Sequence, residues 1–276
     1  MNKRTKILLL AMIVSLSVSI MPNTGHFATN ETAFAIRLQR EKFYHLNEED
    51  AKSAYTQEYR DGWVIADCVN IRRQPSMSAG TVGHSYFNKE IDFYNVNKDW
   101  ARVMYKGKTI GYMNRKYISK DKPACKMYDV PYTNGNKTYM PYKVYRNGKY
   151  CSIFSSSSKQ YKLQKYCHTG DYRIRKYKDR FCVALGSAFG VSIGQYFDLC
   201  LENGEIIPCI MADQKADRHT DASNIITLQN GCMSEFIIDN AKLDLMAKRM
   251  GDISYCTDRW KSRVVQVKVY NKSIEL

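Results

Sequence analysis

Between residues 194 and 251 two apolar, strand-like runs each end in a carboxylate. Residues 206–213 (IIPCIMAD) close on Asp213, and residues 233–239 (MSEFIID) close on Asp239. A polar loop between them carries Lys215, Asp217, His219 and Asp221, and Glu235 lies inside the second run. Ionisable groups at strand ends and in a mid-domain loop are where chemistry is usually placed. A carboxyl that gives and takes a proton near neutrality needs an acidic neighbour or an apolar wall to raise its pKa. Asp213 is the candidate acid, with Asp239 as its neighbour and Glu235, Asp217 and His219 as further members. The same residues admit readings without catalysis. Asp213, Asp217 and Asp221 recur every four residues and with Glu235 resemble a set of calcium oxygens, although Lys215, Arg218 and His219 among them argue against a dense cation site. Aspartate is also a common cap, so Asp213 ending a turn and Asp239 capping a helix from Asn240 account for both positions.

The elements that must position these groups are mainly strands. From 151 to 276 the runs RFCVALGSAF, QYFDLCL, EIIPCIMA, SEFIID and RVVQVKVY all read as strands, and one partly amphipathic helix is expected over 240–250, stopped by Gly251. Many short strands with one helix suggest a small closed or nearly closed barrel. Upstream, residues 61–119 form a compact all-β pattern. WVIADCVNI, EIDFYNV, WARVMY and TIGYM alternate with turn signals at 74–83, 97–99 and 106–108. Residues 36–60 read as a short helical lead-in, with Asn47 as cap ahead of Glu48, Glu49 and Asp50. Residues 120–150 hold two Asn-Gly turn signals and read as a linker; the serines at 155–158 read as a mobile loop.

At 276 residues and 44% hydrophobic, the chain suits two small domains better than one large one. Residues 1–35 read as an export signal: Lys3, Arg4 and Lys6 precede an apolar run at 7–21, and AFA at 33–35 fits a small-x-small cleavage rule. The apolar run is shorter than the ~20 residues of a membrane span, so a membrane is implied only through this signal if it stays uncleaved. Removing residues 1–35 leaves a net charge of +13 from the full chain's +15. An exported basic protein makes nucleic acid an improbable target and a polyanionic envelope a natural one. All nine cysteines follow residue 35. After export they would normally pair, and the odd count leaves one over. No Cys-x-x-Cys pair or Cys/His cluster has metal spacing, and neither a metal nor a cofactor is expected.

The segment CVNIRRQPSMSAGTVGHSYFNKEIDFYNVNKDWARVMYKGKTIGYMNRKYIS resembles a bacterial SH3 domain. The resemblance rests on Val69, Asn70, Ile71, Arg72 and Pro75, on Gly83, Trp100, Val103 and Gly107, and on Gly111, Tyr112, Tyr117 and Ile118. It departs at Lys89, where the family usually has a turn glycine. It implies a small wall-tethering β-barrel, with Trp100, Tyr105 and Tyr112 as candidate ligand-binding residues; core packing is the competing role for Trp100. ALGSAFGVSIGQYFDLCLENGEIIPCIMADQK and NGCMSEFIIDNAKLDLMAKRMGDI are similar to the double-psi β-barrel of rare lipoprotein A and MltA-like lytic transglycosylases. Gln214 and Lys215 replace the Arg-Gly or Gly-Gly that usually follows the first Asp. The resemblance implies Asp213 as the acid that protonates a glycosidic oxygen and then accepts a proton from the sugar's 6-hydroxyl. NGCMSEFIIDNAKLDLM also faintly resembles the His-Gly-Cys segment of L,D-transpeptidases, with Cys232 as nucleophile and His219 as base; Asn230 stands where that family has histidine.

The expectation is therefore a mainly all-β, exported, wall-associated protein. It comprises a signal at 1–35, a lead-in at 36–60, an SH3-like small barrel at 61–119, a linker at 120–150 and a six-stranded double-psi-like β-barrel with one helix at 151–276. Its expected partners are peptidoglycan and anionic wall polymers. The rival to an enzyme is a non-catalytic wall-binding or surface protein.

Overall fold

Alternation of apolar and polar residues builds the first sheet. The computed structural model describes residues 60–131, 155–239 and 243–276, together with the backbone of 137–140. The expected signal at 1–35 lies outside the described residues, as does the lead-in at 36–60 except for Arg60. Strands β1 (Arg60–Val64), β2 (Cys68–Arg72), β3 (Thr81–Tyr86), β4 (Glu90–Asn95), β5 (Trp100–Tyr105), β6 (Lys108–Asn114) and β7 (Ile118–Ser119) form an antiparallel sheet in the order β3-β2-β6-β5-β4-β1-β7. One face of these strands supplies a single core of Val64, Val69, Ile71, Ile91, Phe93, Ala101, Val103 and Met113. Gly111 is required where β6 crosses β2: at φ 145° a Cβ would stand 2.6 Å from Ile71 Cγ2 and 2.7 Å from the Arg72 carbonyl oxygen. At the β3–β4 turn Asn88 takes the left-handed conformation, at φ 65°. Asparagine tolerates that region, so Lys89 need not be glycine.

The second sheet is built around two strands that read as continuous apolar runs because both their faces are covered. β12 (Arg180–Leu185) is buried at every residue and runs parallel to β14 (Ile206–Gln214). β13 (Gln195–Leu201) pairs antiparallel with β14 on the side away from β12 and turns into it at Asn203-Gly204. With β8 (Cys125–Asp129), β10 (His168–Thr169), β11 (Arg175–Tyr177) and β16 (Val264–Ser273) the order is β10-β11-β12-β14-β13-β16-β8. The outer edge of β12 is shared. β11 pairs its start, and β15 (Ser234–Ile237) pairs its end and runs parallel to β9 (Lys137–Met140) on its other side. The span read as a linker thus contributes β8 and β9 to this sheet.

The protein is mainly β, in two multi-stranded sheets. Two short α-helices accompany them among the described residues. α1 (Lys159–Tyr166) begins at Ser158, whose Oγ accepts from Tyr161 N, so the serine run read as a loop ends in a helix cap. α2 (Leu245–Met250) is capped by Asp244, not by Asp239, and stops at Gly251 with φ 66°.

The two sheets share a buried polar junction. Arg180, 1% exposed, donates from Nη1 to Asp198 Oδ1 at 2.9 Å and to the carbonyl oxygens of Phe197 and Cys209. Its guanidinium lies 4.5 Å from the ring centre of Tyr196, 5.3 Å from that of Phe87 and 5.7 Å from that of Tyr270. Tyr270 donates to Asp198 Oδ2 at 2.6 Å and accepts from Asn88 Nδ2 at 2.7 Å. Phe87 and Asn88 belong to the β3–β4 turn, so the first sheet is anchored in the second sheet's core. Lys272 Nζ stands 3.0 Å from Asp67 Oδ1 at the rim.

Burial, and then the Asp67 charge, push the Tyr177 hydroxyl up to about 12; Tyr196 and Tyr270 are raised by burial followed by Asp67 and Asp198 respectively. An unfolded tyrosine titrates near 10. The folded state therefore holds more protons above that value, and stability falls with rising pH. The contribution of Tyr177 is complete below about pH 10 and is lost as pH rises through about 12. Urea midpoints followed through the alkaline range should decline, and Tyr177→Phe should make the decline shallower. Superimposable profiles would rule this origin out.

Candidate functional site

β12, β14 and β15 bring two of the candidate carboxylates, Asp213 and Glu235, into one row. Ala184 of β12 pairs with Asp213 of β14 on one side and with Glu235 of β15 on the other. Two interstrand spacings put Asp213 and Glu235 roughly 10 Å apart at the backbone, and alanine between them adds little bulk. Asp213 is 3% exposed, and its Oδ1 accepts from Gln160 Nε2 of α1 at 3.2 Å. Two residues on, the buried Lys215 side chain reaches the same end of the sheet. Its Nζ donates to Thr227 Oγ1 at 2.5 Å and to the Cys232 carbonyl oxygen at 2.8 Å, and stands 3.7 Å from Glu235 Oε1. Burial lowers the Lys215 pKa, opposed by the neighbouring Cys232 and Glu235. The result is a desolvated cation between a loop and a carboxylate, two residues along the chain from Asp213.

The 216–233 loop is pinned to this end by its own backbone. Thr220 bridges Thr227, Leu228 N donates to the His219 carbonyl, and Thr227 N donates to that of Cys232. Gly186, at the end of β12, allows the loop to approach: a Cβ there would overlap the Asn224 carbonyl oxygen. Asp221 closes the turn by accepting from the amides of Ile225 and Ile226, and Asp217 accepts from Ser187 Oγ at 2.6 Å. The four-residue recurrence of Asp213, Asp217 and Asp221 thus does not bring three carboxylates to one point. Among the described residues no group of three or more His, Cys, Asp or Glu stands where it could share a metal ion.

The remaining candidates separate. Asp239 lies four residues beyond Glu235, about 13 Å along an extended chain, and accepts from Thr169 Oγ1 at 3.3 Å. It serves a different part of the fold from Asp213. His219 is exposed, its Nε2 facing Arg218 Nε at 3.2 Å. Cys232 is fully buried and its thiol donates to the Ser234 carbonyl at 2.7 Å. His219 thus meets Arg218 at the loop surface, whereas the Cys232 thiol lies in the interior.

Asp239 and Asp213 are connected instead through a chain of polar groups that sequence reasoning missed. Thr169 accepts from Arg175 Nη1 at 3.2 Å, and Arg175 donates to Gln164 Oε1, Gln164 O and Cys167 O at the end of α1. Arg175 thereby satisfies the orphan carbonyls of the helix C-terminus and fixes the helix whose first turn presents Gln160 to Asp213.

On the first sheet, Tyr94, Arg102, Tyr112 and Arg72 lie in paired register across β4, β5, β6 and β2. Trp100 pairs with Asn114 on the same face, opposite the core residues Ala101 and Val103. Trp100 is 7% exposed. Arg102 lies 5.9 Å from the Tyr112 ring centre and is 6% exposed, and its Nε meets no hydrogen-bond acceptor among the described residues. Tyr105 closes the β5–β6 hairpin, exposed and faced by Lys106 at 5.2 Å from its ring centre. A cleft of about 320 Å³ elsewhere, lined by Ile65, Phe87, Pro123, Ala124, Tyr270, Asn271 and Lys272, opens beside the junction of the sheets.

Comparison of the chain with protein-family models, with curated proteins and with solved structures finds no match in any of the three.

Proposed function

We propose that the protein is exported and cell-wall-associated, and that it binds peptidoglycan and its anionic polymers through the outer face of the first sheet. The observation that carries this reading is the row Tyr94-Arg102-Tyr112-Arg72 with its buried, incompletely bonded Arg102 guanidinium. Aromatic rings offer sugars and amphipathic chains a flat contact, and a desolvated guanidinium favours a phosphate or carboxylate partner. The chain's net charge of +15 supports the same kind of target.

A second reading adds glycan-strand cleavage, with Asp213 as acid and then base. It is favoured by the row Asp213-Ala184-Glu235 and by the burial of Asp213. The depth of Asp213 beneath Gln160 favours the purely binding alternative, because a glycosidic oxygen must reach the acid within hydrogen-bond distance.

One experiment separates them. The protein recovered from a secreting host is incubated with isolated walls, with or without prior removal of their anionic polymers. The pellet is assayed for protein and the supernatant for anhydro-muropeptides. Binding that weakens for Arg102→Gln, and toward about 1 M salt where the Debye length falls to about 3 Å, supports the wall reading. Recovery in the supernatant under every condition overturns it. Fragments released by the wild type and lost in Asp213→Asn support the enzyme reading; release by neither leaves a binding protein.

A further inference from the structure

The eight described cysteines stand as thiols, and two of them face one another. Cys167 caps the C-terminal end of α1, half-buried, with its Sγ 3.4 Å from the Sγ of Cys182, a fully buried residue in the middle of β12. They stand fifteen positions apart in sequence, with β10 and β11 between them. The surroundings already hold the pair in place. Arg175 binds the Cys167 and Gln164 carbonyls, and Leu163 beside it is fully buried.

We propose that Cys167 and Cys182 form a disulfide that staples the end of α1 to β12. The geometry needs the two sulfurs to close from 3.4 Å to a bonded distance of about 2.05 Å. The chemistry is thiol–disulfide exchange with a low-molecular-weight disulfide. The more accessible Cys167 attacks as its thiolate and releases one small thiol, giving a mixed disulfide. Cys182 then loses its proton, attacks the Cys167 sulfur and releases the second small thiol. Two protein thiols are oxidised by two electrons, and one small disulfide is reduced to two thiols. The inference goes beyond wall binding and does not depend on it. Its structural consequence falls on the candidate site, because α1 carries Gln160 to Asp213.

The contact with Cys182, and then burial, hold the Cys167 thiol well above the usual cysteine range. Its thiolate is therefore scarce near neutrality, and exchange should be slow and accelerate with pH.

The test uses the full chain, equilibrated with oxidised glutathione at mildly alkaline pH. It is then denatured without reductant in N-ethylmaleimide and digested with trypsin. The expected product joins the Cys167 peptide (166–173) to the Cys182 peptide (181–215), two hydrogens lighter than their sum. Cys200 and Cys209 share the second peptide, so fragmentation must assign the bond to Cys182. A reductant should lower the melting temperature of the wild type by several degrees and leave Cys167→Ser unchanged; this exposed-side substitution avoids making a cavity at Cys182. Maleimide on both Cys167 and Cys182, or a bond from Cys167 to another cysteine, would overturn the proposal.

Discussion

Arg180→Ala is expected to destabilise the fold by about 3–5 kcal/mol, the usual loss when one partner of a buried ion pair is removed. The guanidinium is 1% exposed and the Asp198 side chain it faces is nearly as deep. Its charge is held by two carboxylates: burial acts against ionisation, but Asp198 and Asp179 outweigh it and the Arg180 pKa is raised. Truncation would leave Asp198, among the described residues, with the Tyr270 hydroxyl at 2.6 Å, strip two carbonyls of a donor, and empty the space between Phe87, Tyr196 and Tyr270. Because Phe87 and Asn88 come from the other sheet, the loss should also loosen the junction. Urea unfolding gives the magnitude, and the paired variant Arg180→Met/Asp198→Leu separates lost charge from lost packing. The pair should recover much of the stability, since an apolar replacement of a buried ion pair is often neutral or better. A loss under about 1 kcal/mol for the alanine variant, the scale of an exposed pair, would show that the junction is solvated.

That junction was not legible in the sequence, for a physical reason. Asn88 and Tyr270 are 182 positions apart, and neither belongs to a periodic pattern that announces a partner. The strands themselves were legible because their signals are local. β12, β13, β14, β15 and β16 coincide with apolar runs, and the turns at Gly107 and Gly204 with positive φ are where Lys-Gly and Asn-Gly stand. α1 was missed because its KQYKLQKY segment buries only Leu163 and Gln164 and presents no apolar stripe. Arg175 and the Ser158 cap secure it instead, through contacts that become visible only after folding. At the candidate site the residue types were legible, whereas their spatial grouping depends on strand register. The ends of two apolar runs suggested Asp213 with Asp239, and a family resemblance suggested His219 with Cys232. Strand register instead sets Asp213 opposite Ala184 and Glu235, and the loop brings Lys215 against Thr227 and the Cys232 carbonyl.

Lys215→Ala should cost about 3 kcal/mol, at the lower end for a buried pair, because the ammonium is 3.7 Å from Glu235 Oε1 and the Glu235 side chain keeps 12% exposure. Alanine removes the aliphatic stem as well as the donor to Thr227 and Cys232, whereas Lys215→Met keeps the stem and isolates the charge. The methionine variant also has a pH signature. Burial lowers the Lys215 pKa in the fold, while the unfolded chain keeps a value near 10.4. Between the two, the unfolded state binds more protons, so the lysine makes stability rise with pH across that window. This opposes the tyrosine-driven loss that begins near pH 10. Lys215→Met should therefore be penalised least near neutrality and show a steeper alkaline decline than the wild type, read from urea midpoints. Parallel profiles would mean that Lys215 is solvated. The same variant probes the site: Glu235 loses its cation two interstrand spacings from Asp213. If Asp213 acts as the acid, Lys215→Met should alter the pH dependence of fragment release, whereas Asp213→Asn should abolish release at every pH.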